Sequence, residues 1–475
     1  MTNILLKNKV TEATHILVIT EKFVAEFGLP DKVNDYILAQ LKQPDKKVLT
    51  YNYIGKYISI LIIDKKKDPN DQYELLRRHG AGVATAINTH KGTELFIYNQ
   101  TKLPELSLYA AEGISLANYQ FNRHKPSAEK NKNTLRSVII ANTPLNPASV
   151  LELNTVCEAT NMARDLVNEP VNHLNATDLA NAFKKMGKEG GFKVDVFNKA
   201  KIKQLKMGGL LSVNAGSVDE PTFTVMEYKP KNPKNKKPVV LVGKGVVYDT
   251  GGLSLKPTLN SMDMMKCDMA GGAAVGCALY AIAKMKLNVH VIGLVPATDN
   301  RPGFNAFAPG DIITMMDGST VEMLNSDAEG RMILGDALHF AKQFKPELVI
   351  DIATLTGAAM AALGTFGMVG MGTATPVQKE KLHKSGQRVH ERIGEFPFWE
   401  EYDELMKSEI ADQKNIGGPL AGAITAGKFL VKFTDYPYYH LDIAGPAFLP
   451  AKENYKPKGG TGVGVRLFFD FLKNL

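Results

Sequence analysis

From residue 177 to residue 354 short apolar runs alternate with amphipathic segments, and that alternation limits what the chain can fold into. FKVDVF (192–197), FTVMEY (223–228), PVVLVGKG (238–245), VHVIGLVP (289–296) and LVIDIAT (348–354) read as strands by their β-branched and aromatic content. TDLANAFKKMGKEGG (177–191), GGAAVGCALYAIAKMK (271–286) and MILGDALHFAKQF (332–344) read as helices between them, the first with Thr177 or Asp178 near its start. Strands joined through helices predict an α/β fold whose mixed, largely parallel sheet is covered by helices on both faces. In such sheets ligands bind beyond the carboxyl ends of the strands. The informative residues should therefore follow the apolar runs.

The chain has 475 residues, too many for one ordinary core, so two α/β domains are expected. The first third carries strand patterns at 14–20, 48–53, 57–64, 94–99 and 137–144, and helical patterns at 71–90 and 105–122. A polar loop at 123–136 precedes the last of these strands. A long helical pattern at 147–170 ends at Pro170. The expected division is an N-terminal domain over 1–150, a linker helix over 151–170 and a C-terminal domain over 171–475. No fixed-period repeat is present.

Composition narrows the function. At 44% hydrophobic and 22% charged residues the chain has the make-up of a soluble globular protein, and no apolar run reaches a membrane span. The opening residues MTNILLKNKV hold no long apolar stretch and no small-residue cleavage site, so a cytoplasmic protein is expected. Three cysteines, Cys157, Cys267 and Cys277, form no CxxC pair, which excludes a disulfide framework and argues against a thiolate zinc site. The net charge of +8 admits a nucleic-acid partner. Lys229, Lys231, Lys234, Lys236 and Lys237, however, crowd one stretch with Pro230, Pro233 and Pro238, which reads as a solvated hairpin loop. No DNA-reading motif accompanies it.

Three segments place charge at strand ends. VVLVGKGVVYDTGGLSLKP (239–257) carries Lys244, Asp249 and Lys256, with Gly251 and Gly252 permitting a tight turn. MDMMKCDMAGGAA (262–274) carries Asp268 just before a glycine-rich helix start. VEMLNSDAEGRMILGDAL (321–338) carries Asp327, Glu329 and Arg331, whose spacing of two predicts one shared face in extended backbone. Such carboxylates are costly to bury alone, and divalent metals remove the cost. By residue type alone, Asp-Ala-Glu also fits a solvated loop, and Lys244 and Lys256 also fit surface lysines. No histidine sits in an H-E-x-x-H pattern, and GKG lacks the glycine spacing of a nucleotide loop.

NSDAEGRMIL (325–334) closely resembles the NTDAEGRL signature of the leucyl aminopeptidase family. The lysine- and aspartate-bearing segments above resemble the family's metal segments. ARDLVNEP (163–170), ATLTGA (353–358), ADQKNIGG (411–418), AGAITAG (421–427), HLDIAG (440–445) and GGTGVGVRL (459–467) are also similar, in order. The likeness runs from about residue 150 to the end and is weaker before, where the family carries a divergent, macro-like N-terminal domain. It implies a two-metal aminopeptidase releasing N-terminal residues, leucine and other apolar ones, from peptides with a free N-terminus.

Carried over residue by residue, the resemblance gives one metal to Asp249, Asp327 and Glu329 and the other to Lys244, Asp249, Asp268 and Glu329. The ions are zinc or manganese, with magnesium also acceptable. Lys256 and Arg331 match the catalytic positions, and Arg331 is implied to hold a bicarbonate ion. Met265, Thr354 and Ala444 match the specificity pocket, and Leu355 and Gly357 the backbone contacts to the peptide. Family members form homohexamers. Thr250 and Ser326 replace the family's serine and threonine and keep the hydroxyls. Pro446 near the pocket and the poorly matching stretch 364–376 leave substrate preference open. The competing reading from another class is a DNA-binding regulator on the same fold.

Overall fold

In the computed structural model, which describes all residues except 1, 9–12, 25–26, 28, 44–46 and 65–66 (and at 128–130 the backbone alone), each stretch of alternating pattern has found a sheet. Contacts divide the chain into two units. One comprises Met1–Glu158 with Ala451–Pro457, the other Ala159–Pro450 with Lys458–Leu475. Among the described residues no helix is long and apolar enough to cross a membrane.

In the first unit β1 (Asn3–Lys7), β2 (His15–Thr20), β3 (Val48–Tyr53), β4 (Lys56–Ile62), β5 (Glu94–Asn99) and β6 (Ser137–Ala141) lie in the order β1-β6-β5-β2-β4-β3. Only the β3–β4 pair is antiparallel. Its two-residue turn, Ile54-Gly55, takes positive φ at both positions, 45° and 79°, as the right-handed twist of a tight hairpin requires. Helices Pro69–Thr89 and Leu106–Ala117 bury their apolar stripes on this sheet. β1 and the helix Asp31–Leu41 were not expected from the sequence.

The second unit carries β7 (Lys193–Phe197), β8 (Thr222–Tyr228), β9 (Val239–Gly243), β10 (Gly245–Asp249), β11 (Val291–Asn300), β12 (Ile312–Thr314), β13 (Thr320–Glu322), β14 (Leu348–Ala353), β15 (Met368–Gly372), β16 (Ile393–Glu395), β17 (Gln413–Lys414) and β18 (Tyr438–Asp442). The main sheet runs β16-β15-β18-β14-β9-β11-β8-β7, with β10 added beside the far half of β11; β12, β13 and β17 make a small second sheet. The centre, β18-β14-β9-β11, is parallel, and antiparallel strands lie toward both edges. This is the mixed, largely parallel architecture that the alternation implies.

Helices cover both faces, and residue parity shows it. Ile292 and Leu294 pack with Val240, Val242 and Val349 against Met332 and Ile333 of helix Glu329–Ala341. Gly293 between them faces the other way, where an added Cβ would meet Val275 Cγ1 at 2.9 Å and Leu279 Cδ1 at 3.2 Å on helix Ala270–Lys284. Each fully buried Val, Ile or Leu contributes about 1.5–3 kcal/mol, so the two layers supply most of the drive to form this sheet.

One local expectation is corrected, and one helix start is completed. The lysine-rich stretch 229–238 joins β8 to β9, which do not pair but flank β11 on opposite sides; it is a crossing over the end of β11, not a hairpin. Its lysines are exposed, but Asn235 is buried, donating to His290 O and accepting from His290 N, both at 2.8 Å. The helix Ala176–Gly190 has Thr177 and Asp178 in its first turn, as expected, and is capped by Asn175. The Asn175 side chain accepts from Asp178 N, and Asp178 returns the bond.

Between β9 and helix Ala270–Lys284 the backbones touch. A Cβ on Gly271 would lie 2.0 Å from Ile352 O, and one on Gly243 would lie 2.5 Å from Gly271 O. Lys244, the next residue, has its backbone fixed in that junction: its N donates to Ile352 O at 3.1 Å and its O accepts from Gly272 N at 2.8 Å. Gly271→Ala is expected to cost about 3 kcal/mol, the upper end of overpacking penalties, because the obstructing atom is backbone. Urea unfolding of the variant against the native protein measures it; an unchanged midpoint would contradict the close approach.

Candidate active site

The end of β9, the end of β10 and the starts of two helices meet at one buried point. Lys244 follows β9 and is 3% exposed. Its Nζ lies 2.8 Å from Asp268 Oδ2, 2.8 Å from Glu329 Oε1 and 3.0 Å from Thr354 O. Asp249 closes β10, and its Oδ1 accepts from Gly251 N at 2.8 Å and from Asn300 Nδ2 at 2.9 Å. Asp268 stands in the 3₁₀ helix Met262–Met269, and its Oδ1 accepts from Thr354 Oγ1 at 2.7 Å. Gly251 and Gly252, at φ of 84° and 61°, turn the chain back so that Lys256 N reaches Thr250 O at 2.9 Å. Lys256 Nζ then lies 3.0 Å from Asp249 Oδ2 and contacts Asp327 Oδ1.

Asp249, Asp268 and Glu329 each present a carboxylate oxygen within 4.8 Å of the others, and all three are buried. Burial, reinforced by Asp249, raises the Glu329 carboxyl, and burial raises Asp268. Burial and the charges of Asp249 and Glu329 push Asp327 up to about 7. Burial opposes the Lys244 ammonium, but Asp268, Glu329 and Asp249 outweigh it and hold Lys244 above the ordinary lysine range. Lys256 is held up in the same way by Asp249, Glu329 and Asp327. Glu329 Oε2 is buried and has no hydrogen-bond partner. An oxygen set this close, with an unspent lone pair inside, has the chemistry of a divalent-cation site.

Asp327, Glu329 and Arg331 do not share one extended face. Asp327 sits in a turn, and Glu329 opens the helix Glu329–Ala341, on which positions two apart point about 200° from each other. Glu329 therefore turns to Lys244, while Arg331 Nη1 donates to Asn415 O at 2.7 Å. Arg331 is 6% exposed; burial lowers its guanidinium to about 10, which leaves it cationic at neutral pH.

The residues matched to a pocket hang from the same point. Met265 is half-buried in the 3₁₀ helix that carries Asp268. Leu355 N and Ala444 N both donate to Asp442 Oδ1 at 3.1 Å, and Thr356 Oγ1 donates to Asp442 Oδ2 at 2.7 Å. Gly357 begins a short helix and is exposed. Asp442, Asn300 and Asn415 are buried residues to which the sequence reading assigned no role.

Residues 161–469 match the cytosol aminopeptidase family, catalytic domain. The chain is 55% identical over 317 residues, 66% of its length, to the "Probable cytosol aminopeptidase" of Chlorobaculum parvum, and that match spans 62% of the relative, less than two thirds of it. With the protein of the same name from Geotalea uraniireducens it shares 39% identity over 440 residues, 90% of this chain and 88% of that one. A mutant of tomato leucine aminopeptidase superimposes with a TM-score of 0.87 at 28% identity, covering 100% of this chain and 97% of that one. The bottromycin maturation enzyme BotP in complex with Mn gives 0.83 at 28% identity, covering 97% and 99%.

Ser326 ties the Asp327 loop to the Lys256 turn: fully buried, its Oγ donates to Gly251 O and accepts from Ser254 N, both at 2.7 Å. Ser326→Ala should cost about 2 kcal/mol, the price of leaving two buried backbone groups unpaired. Denaturant titration checks it, and a loss within a few tenths of a kcal/mol would mean that water replaces the hydroxyl.

Proposed function

The chain belongs to the cytosol aminopeptidase family, and from that premise we propose that it releases N-terminal amino acids, leucine and other apolar residues first, from peptides with the help of two divalent cations. The observation that carries this reading is the buried triad Asp249, Asp268 and Glu329, with oxygens within 4.8 Å and Glu329 Oε2 unpartnered. Asp249, Asp327 and Glu329 would hold one cation, and Lys244, Asp249, Asp268 and Glu329 the other. Lys244 would have to be neutral there, and a second dication beside it would disfavour its ammonium form. When bound, such a pair supplies a Lewis acid for the scissile carbonyl and a water acidic enough to attack it near neutral pH. Zinc, manganese and magnesium all accept this oxygen-rich set, and a manganese complex is known for the BotP structure.

The chain's own groups would do the rest. Lys256, the more exposed of the two lysines with 15% of its side chain accessible, is placed to stabilise the negative charge that develops on the carbonyl oxygen. Arg331 has no proton to give at neutral pH, so its role is to hold an anion; bicarbonate, carrying a proton from water to the leaving amine, fits the family. The Arg331 Nε is buried without a partner, which leaves a donor for that anion. Met265, Thr354 and Ala444 would form the pocket for the first side chain, with Leu355 and Gly357 meeting the peptide through backbone groups. We place the protein in the cytoplasm as a homohexamer. The DNA-binding alternative rests on the net charge of +8 alone, to which no relative named above adds a nucleic-acid role.

Elemental analysis of the purified protein should find up to two divalent ions per chain; active, chelator-resistant protein with none overturns the reading. Lys256→Ala should keep both ions and lose about 10²–10³ in kcat, the usual cost of one such donor. KM should move less, because the interaction grows mainly in the transition state. Normal kcat, or a missing ion, would refute the role given to Lys256. Light scattering tests the hexamer, and a stable, fully active monomer counts against it.

A further inference from the structure

Asp327 differs from Asp249 and Asp268 in how it is held. Asp249 accepts from Gly251 N and Asn300 Nδ2, and Asp268 accepts from Thr354 Oγ1. The Asp327 side chain is 32% exposed, and its Oδ1 pairs with Lys256 Nζ, the end of a long side chain that is shared with Asp249. Its place is therefore the place of its loop. That loop is fastened at Leu324 and Asn325 by one residue from far along the chain.

Asn415 is fully buried. Its Oδ1 accepts from Leu324 N at 2.8 Å and from Asn325 N at 3.3 Å, and its Nδ2 donates to Asn325 O at 2.7 Å. Its own N donates to Glu322 O at 3.0 Å, and its O receives Arg331 Nη1 at 2.7 Å. Asn325 passes the restraint on, because its Oδ1 accepts from Asp327 N at 2.8 Å. One amide side chain thus satisfies three backbone groups of the loop, and its main chain aims Arg331.

We propose that Asn415 is a positioning residue: its side chain fixes the Leu324–Asp327 loop and so sets the affinity of the one cation position that Asp327 completes. The inference rests on the two-cation reading above. Asp327 serves one position only, whereas Asp249 and Glu329 serve both. Loss of Asn415 should consequently act on one ion and spare the other. A residue that merely supported the fold would weaken both.

The test is calorimetric titration of metal-stripped protein with manganese, for the native chain, Asn415→Ala, Asp327→Ala and the double variant. Two binding steps are expected for the native chain. Asn415→Ala should weaken one step by about 10–100-fold, the usual cost of removing a group that orients a ligand, and leave the other in place. In the Asp327→Ala background the same substitution should change nothing further, because its effect passes through Asp327. Asn415→Asp keeps the acceptor for both amides but sets a carboxyl oxygen against Asn325 O; it should weaken the same step and spare the other, and it decides the question if the alanine variant does not fold. Equal weakening of both steps, additive effects in the double variant, or native affinities in Asn415→Asp would each overturn the proposal. A native chain that binds two ions separates those failures from failure of the two-cation reading, in which the native chain binds none and the proposal falls with it.

Discussion

Four carboxylates converge in the second unit, and the two lysines that pair with them do not balance their charge. Asp249, Asp268 and Glu329 are 2%, 4% and 1% exposed. Taking a carboxylate out of water costs several kcal/mol unless it is paired and hydrogen-bonded. The protein meets part of that cost locally. Glu329 lies in the first turn of its helix and Asp268 just ahead of helix Ala270–Lys284, where backbone N–H groups and the helix dipole favour negative charge. Lys244 and Lys256 meet another part. What remains appears as raised carboxyl groups at Asp268, Asp327 and Glu329 and as the unpartnered Glu329 Oε2. Divalent cations are the one familiar partner that removes all of these at once.

Small residues bring those charges within reach of each other. Gly271 and Gly272 let a helix start against the ends of β9 and β14, and this locks the Lys244 backbone. Gly252 packs where a side chain would collide, 2.8 Å from Asn300 Oδ1 and 3.0 Å from Ser326 Oγ. The turn it permits returns Lys256 over Asp249 and Asp327. Absence of side chains at these glycines is thus as much a part of the electrostatics as the lysines are.

The alternation of strand and helix was legible because these elements are long and buried on a regular period; β9, β11 and β14 are buried at every position. β1 escaped notice because its pattern is short and mostly exposed, and helix Asp31–Leu41 because it opens without a side-chain cap. The same lack of a signal misled the reading of Asp327, Glu329 and Arg331. Ala328 stands at the cap of that helix and makes no side-chain bond, so nothing in the sequence marks where extended chain gives way to helix. Asn300, Asn415 and Asp442 could not be read either. Their partners lie 51, 91 and 87 residues away, and a single sequence does not show which distant segments meet.

Thr354 shows how closely the proposed pocket and the proposed cation site are joined. Its carbonyl accepts from Lys244 Nζ at 3.0 Å, and its hydroxyl donates to Asp268 Oδ1 at 2.7 Å. The next residue, Leu355, is held with Ala444 on a single Asp442 oxygen. Consecutive residues of one loop thus touch two of the proposed cation ligands and, through Asp442, a residue of the proposed pocket. A change at Thr354 to a residue without a hydroxyl frees Asp268 from a bond, whereas the backbone carbonyl that Lys244 donates to remains. Ala444 touches this network only through its backbone N–H, which any residue but proline retains. Variation in the proposed preference that leaves these bonds undisturbed is therefore physically open at Ala444 and Met265, and at Thr354 only to serine, which keeps the hydroxyl.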